Sequence, residues 1–277
     1  MKYISFLRND GSATYGRLDG DKVLDLGIAA NPVDLKAAIA AGNLDALTGG
    51  DTFNYAEVKL LPVIPNPDKI FCVGHNYESH RKETGRDKVE HPSIFTRFAD
   101  SLIAHGEEIL RPKVSTDLDY EAELAIIIGK GGRYISQDEA MSHIAGYACF
   151  NDASVRDWQW HTRQFIPGKN FPTTGPFGPY MVTPEEAGDL SETHVISRLN
   201  GEVMQDQPLK DLIFPLAQVI SYVSSFTPLN PGDVIATGTP GGVGAKRTPP
   251  VWMKPGDTIE VEIGHIGKLV NVIAQED

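Results

Sequence analysis

Over residues 120–128, Tyr-Glu-Ala-Glu-Leu-Ala-Ile-Ile-Ile, two carboxylates interrupt an otherwise apolar run. Read as a strand, this stretch sends Tyr120, Ala122, Leu124, Ile126 and Ile128 to one face and Glu121, Glu123, Ala125 and Ile127 to the other. A helix would not place residues two apart on one side, and the β-branched isoleucines closed by Gly129 favour the strand. Shorter strands are expected over 2–8, 13–18 and 22–25, separated by the hairpin turn signals Asn9-Asp-Gly11 and Asp19-Gly20. An alanine-rich helix follows over 33–41 and stops at Gly42. Three prolines within 61–67 make a stiff, extended boundary, so the expected organisation is a small N-terminal unit, residues 1–66, and a larger one, residues 67–277.

Beyond the boundary the pattern predicts a strand over 69–73 and one or two helical turns from Tyr77 to Gly85. A capping box, Ser136-Gln-Asp-Glu139, opens a short helix, and a strand follows over 146–150. Asn200-Gly201 is a two-residue hairpin turn. Leu216, Val219, Ile220 and Val223 form the apolar stripe of a helix that starts at Pro215, and strands over 258–263 and 268–273 close the chain.

Composition narrows the function classes. Hydrophobic residues at 41% and charged residues at 22% of 277 describe an ordinary globular protein with a sizeable core. A net charge of -12 argues against a nucleic-acid or anionic-membrane partner, because nothing along the chain resembles the basic stripe such binding requires. The first residues carry no signal-like apolar core and no run of 18 apolar residues occurs, so a cytoplasmic location is expected. Cys72 and Cys149 each sit in an apolar run, as reduced core thiols do.

Four places carry candidate chemistry. Glu121 and Glu123 point the same way from their strand; the bland reading is a wetted face, the sharper one two legs of a metal site, since carboxylate oxygens suit Mg²⁺, Mn²⁺ or Ca²⁺. Asp152 lies where a strand stops and its side chain could reach a site built on the sheet, although a turn aspartate is the commoner use there. His80 and Glu83 stand at i and i+3, where the carboxylate would orient the imidazole and raise its basicity, or where both would merely decorate a surface helix. The loop over 231–244 fits neither GxxxxGK[ST] nor GxGxxG, which leaves a phosphate cradle unsupported. Its backbone N–H groups and the hydroxyls of Thr237 and Thr239 could still hold a carboxylate or an oxyanion.

Taken together, six motifs in order resemble the fumarylacetoacetate hydrolase family from about residue 69 to the C-terminus. They are Gly74-His-Asn-Tyr-Glu-Ser-His80 with Glu83, Tyr120-Glu-Ala-Glu-Leu124, Asn151-Asp-Ala-Ser-Val-Arg-Asp157, Gly168-Lys-Asn-Phe171, Gly175-Pro-Phe-Gly-Pro179 and Thr237-Gly-Thr-Pro-Gly-Gly-Val-Gly244. The N-terminal unit is similar to the small extra domain of the longer bacterial members. The resemblance implies a mixed α/β, mainly β fold, with a β-sandwich or roll catalytic domain beside a small N-terminal α+β domain.

It further implies a divalent metal, Mg²⁺ before Mn²⁺ or Ca²⁺, held by Glu121, Glu123 and Asp152, and a homodimer. His80 and Glu83 would form a proton-handling dyad on a lid, residues 77–91, that is mobile until ligand binds. Lys169 would face substrate oxygens, Thr239 a substrate carboxylate, and Arg156 an anion or the back of the site. Where many relatives have a lysine, this chain has Arg97, expected on the substrate side. The implied activity is hydrolysis of the carbon–carbon bond of an acylpyruvate, with a small 2-oxo acid as substrate fragment. Decarboxylation or isomerisation of a dicarboxylic 2-oxo acid is the alternative within the family, and a non-catalytic binding protein the alternative outside it.

Overall fold

The alternation over 120–128 produces the central strand of the molecule. In a computed structural model, which describes residues 1–277, the strand Ala122–Ile128 is buried at every position. Ile144–Asn151 pairs along one edge and Val234–Ala236 along the other, both antiparallel. Leu124, Ile126 and Ile128 enter one apolar cluster, Ala125 and Ile127 another. The period of two therefore holds, and the apolar character of both faces reflects cover on both sides. Tyr120 departs from the pattern because the strand starts after it; its ring joins a third cluster.

Around this strand runs a twelve-stranded mixed sheet whose main path leads from Thr52–Asn54 through Lys2–Leu7, Gly175–Val182 and the central strand to Ser93–Arg97. A second sheet orders Glu202–Pro208, His194–Leu199, Thr258–Ile263, Gly267–Gln275 and Glu108–Arg111. Val195, Val261 and Ile263 of the second sheet share a 28-residue cluster with Leu124 and Ile126 of the first. Val219, Ile220 and Val223 of the helix Leu216–Phe226 enter the same cluster. The fold is thus mixed α/β and mainly β. No helix is long and apolar enough to cross a membrane.

Local signals mostly act as expected. Asn200 and Gly201 adopt φ of 53° and 84°, the left-handed pair that a two-residue hairpin requires. The N-terminal helix is Leu35–Ala41, two residues shorter at its start than the pattern suggests, because Asp34 caps it by accepting the Ala37 N–H at 2.7 Å. At the predicted capping box, the Ser136 hydroxyl instead donates to the Glu139 carboxylate at 2.9 Å and the helix, Gln137–Ala140, is a single turn.

Residues 1–66 are joined to the rest of the chain more closely than the prolines suggest. Lys2 and Tyr3 pair with Val182 and Met181 of the large sheet. Val63 and Ile64, within the proline-rich stretch, are fully buried, and the Ser5 hydroxyl donates to the Val63 carbonyl at 2.8 Å. The boundary is a packed strap, and one core runs beneath it.

Candidate active site

Strand register builds the floor of the site. Ala122 lies opposite Asn151, and the Asp152 N–H donates to the Glu121 carbonyl at 2.9 Å, so the residue after the neighbouring strand arrives beside the two glutamates. One oxygen from each of Glu121, Glu123 and Asp152 lies within 4.8 Å of the others. All three side chains are buried, at 5%, 2% and 0% exposure, which rules out the wetted-face reading.

Buried carboxylates need compensation, and three cations reach this floor. The Lys169 ammonium lies 2.7 Å from both Glu121 Oε2 and Asp152 Oδ2. Arg156 Nη1 contacts Glu121 Oε1 at 2.6 Å while its Nε donates to Asp119 at 2.8 Å. Arg97 Nη1 donates to Asp152 Oδ1 at 2.6 Å. Glu123 has no cation of its own and only the Gly238 N–H, at 2.8 Å, as a donor. Burial, then the charges of Asp152 and Glu121, push its carboxyl well above the usual range. Burial also disfavours the Glu121 carboxylate, but Lys169 and Arg156 outweigh it and hold that group well below its ordinary range.

Counting Asp119, Glu121, Glu123 and Asp152 against Arg97, Arg156 and Lys169, four buried carboxylates meet three buried cations. The hard oxygen donors and the unneutralised Glu123 together fit a divalent cation, and each carboxylate oxygen that accepts one hydrogen bond keeps a second lone pair for it.

The dyad stands above this floor. His80 lies on the short helix Glu78–Glu83, 5% exposed, with Nδ1 2.7 Å from Glu83 Oε1. Glu83 Oε2 accepts the Gly242 N–H at 2.9 Å, and the Ser79 hydroxyl accepts the Gly241 N–H at 3.0 Å. The helix is thereby docked on the glycine-rich loop. Gly242 has φ 105°, and a Cβ there would lie 2.2 Å from the Met204 carbonyl, so this contact depends on glycine. The expectation of a mobile lid over 77–91 accordingly needs division: His80 and its helix are held, whereas residues 85–91 are exposed and irregular.

A cavity of about 90 Å³ lies between dyad and floor, lined by His80, Glu121, Glu123, Arg156, Lys169 and Thr239 among others. Thr239 is placed at the site, but its hydroxyl donates to the Ala122 carbonyl at 2.9 Å and accepts from Gln205 at 2.7 Å. The N–H groups of Gly238, Gly241, Gly242, Gly244 and Ala245 are likewise taken, by Glu123, Ser79, Glu83 and Asp119. Arg156 braces Glu121 and also keeps its buried Nη2 without a partner.

Arg97 is a correction to the substrate-side expectation. Its side chain is fully buried and is spent on Asp152, the Ala153 carbonyl, Thr174 and Ser101, behind the floor and away from the cavity lining. Three participants gave little sign in the sequence. Asp119 accepts the N–H groups of Gly244 and Ala245 at 2.8 and 3.0 Å and so ties the glycine-rich loop to Arg156. Gln159 follows Arg156 by three residues on one helical turn and accepts from it at 2.8 Å, a spacing that could have been noticed. His75 has φ 56° and stacks on His80 with ring centroids 5.2 Å apart. Burial, then the His80 charge, lower its pKa to about 4, so it stands neutral beside the dyad.

Residues 69–274 match the family model described as fumarylacetoacetate (FAA) hydrolase C-terminal. The chain is similar to the mitochondrial oxaloacetate tautomerase FAHD2A of Bos taurus, 40% identical over 220 residues, 79% of this chain and 70% of that one. It is similar also to oxaloacetate tautomerase YisK of Bacillus subtilis, 41% identical over 229 residues, covering 81% and 76% of the two chains. Among solved structures, fumarylacetoacetate hydrolase from Exiguobacterium antarcticum superposes with a TM-score of 0.87 at 35% identity, covering 100% of both chains.

Proposed function

This chain belongs to the fumarylacetoacetate hydrolase family and is an enzyme of that family, and from that premise we propose that it is a divalent-metal-dependent isomerase. It would interconvert the enol and keto forms of a small dicarboxylic 2-oxo acid, with oxaloacetate the first substrate to test. The observation that carries the reading is a buried proton-handling dyad over a cavity of about 90 Å³. That cavity places a small acid directly between His80 and the carboxylate floor. The two relatives named as oxaloacetate tautomerases support isomerisation over the carbon–carbon hydrolysis that the sequence alone placed first.

Glu121, Glu123 and Asp152 would hold the cation, with Mg²⁺ or Mn²⁺ best suited to the oxygen donors. A cation bound there supplies Lewis-acid polarisation of the 2-oxo acid. The chain's own residues would do the rest. Because Glu83 faces His80 Nδ1, the favoured tautomer has the proton there and the lone pair on Nε2. Nε2 takes the C3 proton from the keto form and delivers it to the enolate oxygen at C2 to give the enol; in the reverse direction it takes the enol O–H proton and returns it to C3, while Glu83 stabilises the transient imidazolium. Lys169, already a cation at the floor, stabilises negative charge on the neighbouring substrate oxygen. Arg156 Nη2 is a buried donor that a substrate carboxylate can satisfy.

The test compares three reactions with Mg²⁺ or Mn²⁺ present: ketonisation of enol-oxaloacetate, decarboxylation of oxaloacetate and cleavage of fumarylpyruvate. Ketonisation should have the highest kcat/KM and should be lost on chelation. Acylpyruvate cleavage faster than ketonisation would establish the hydrolase instead.

A further inference from the structure

We propose that the mouth of the cavity is a second anion site, formed by Arg86 and Lys246, that takes the distal carboxylate of the substrate and makes the enzyme selective for dianionic 2-oxo acids. The inference rests on the 2-oxo acid reading above and adds a recognition element at the end of the site remote from the carboxylate floor.

The cations near the cavity fall into two groups. Arg97, Arg156 and Lys169 are consumed by the floor, Arg81 pairs with Glu78 at 2.8 Å, and Arg247 donates to the Met204 carbonyl at 2.7 Å and to Tyr120 at 3.2 Å. Arg86 and Lys246 both line the cavity, yet neither side chain makes a hydrogen bond or an ion pair with the chain. Their backbones are tethered: the Arg86 N–H donates to the Arg81 carbonyl at 3.1 Å, and the Lys246 N–H to the Val243 carbonyl at 3.2 Å. The Lys246 ammonium rests over the Trp160 ring, 5.6 Å from its centroid. Each cation thus has one backbone hydrogen bond at its base and its side-chain charge left open.

Within the inner cavity the carboxylates stand at the floor, and of the two acidic residues that line the adjoining space Glu78 is paired with Arg81, which leaves Asp87 beside Arg86. The acidic residues lining the cavity are Glu121 and Glu123, both at the floor. His75, also in the lining, is neutral and adds no competing charge. The chain as a whole carries a net charge of -12, which repels a dianion, so a local positive rim is what draws such a substrate in.

The rim also sets reach. Gly74, His75, Arg86 and Phe165 line both the 90 Å³ cavity and an adjoining space of about 430 Å³ beneath residues 86–89. A 2-oxo acid head fills the inner cavity, and the distal carboxylate emerges at this neck, where Arg86 stands. Lys246 approaches from the segment that follows the glycine-rich loop. Partial burial by the ligand raises the worth of both contacts above that of an exposed ion pair.

The test uses two inert probes with Mg²⁺ present, measured by isothermal titration. Oxalate supplies the head alone, and N-oxalylglycine supplies the same head with a distal carboxylate. In the double variant Arg86→Gln, Lys246→Gln, N-oxalylglycine should bind roughly tenfold or more weakly, and oxalate should be unchanged. Arg86→Lys with Lys246 intact should restore most of the loss. Both residues are exposed, so the variant should keep the thermal midpoint of the parent. Equal weakening of both probes, or of neither, overturns the rim site. Turnover is scored separately: a wild-type enzyme that converts no 2-oxo acid removes the functional reading, whereas one that converts monoanionic and dianionic substrates alike removes only the rim.

Discussion

Single side chains divide into those that would move protons and those that hold others in place, and substitution should tell them apart. His80→Ala removes the proposed base but leaves the carboxylate floor intact. Turnover should fall by roughly 10²–10⁴-fold while oxalate affinity stays near that of the parent. Near-normal turnover in that variant would show that His80 is not the base. Arg97→Gln should act differently, because it leaves Asp152 buried with Lys169 as its only remaining cation. The expected loss is about 3 kcal/mol in urea unfolding with KM little changed. A raised KM at full stability would return Arg97 to the substrate side. The contrast also marks what a sequence can tell. Glu121 and Glu123 were legible because a period of two fixes their common direction, and His80 with Glu83 because helical spacing does the same. Arg97 and Asp152 are 55 residues apart in the chain and meet only through sheet order, which no local pattern encodes. His75 was hidden for another reason: its place follows from a left-handed backbone at a loop, and histidine gives no advance sign of it.

Elements carry the second level of the design, and the segment over the site shows it best. High charge density over 86–91 suggested mobility for the whole of 77–91, but the hydrogen bonds from Gly241 and Gly242 fasten the helix Glu78–Glu83 to the glycine-rich loop. Only the portion after Thr84, whose N–H and hydroxyl both close onto the His80 carbonyl, lacks such anchors. Hydrogen exchange should therefore be slow within the helix even without ligand and fast over 85–91. N-oxalylglycine with Mg²⁺ should slow exchange over 85–91, since Arg86 lies there, and oxalate should slow it less. Fast exchange through the helix in the free enzyme would contradict the docked arrangement and restore a lid that moves as one piece. The same comparison explains why elements were easier to read than their attachments. Propensity and turn residues placed most of the strands and helices they named within a residue or two but gave no strand over Glu108–Arg111 or the proline- and glycine-rich Gly175–Val182, and docking depends on backbone donors of Gly241 and Gly242 that any sequence pattern leaves anonymous.

At the scale of the whole molecule, residues 1–66 and 67–277 share one core. The proline-rich stretch reads as a linker, yet the 19-residue cluster behind the central strand draws eight of its members from residues 1–66. Removing the segment uncovers apolar side chains of the remaining cluster, such as Phe150, Phe177 and Met181, and each fully exposed one costs about 1.5–3 kcal/mol, so uncovering three costs several kcal/mol. That is a large share of the stability of an ordinary domain, about 5–15 kcal/mol. Deletion would also strip the Lys2–Leu7 neighbour from the strand Gly175–Val182 and leave an unpaired edge next to Phe177 and Met181. Urea unfolding of the 67–277 fragment, followed by circular dichroism beside the full chain, measures the dependence. The fragment should lose the sharp cooperative transition or aggregate, although it keeps all of Glu121, Glu123, Asp152, His80 and Glu83. A fragment that unfolds cooperatively at the parent's midpoint would show instead that the large sheet is complete without its first strands, and that the prolines mark a true domain boundary.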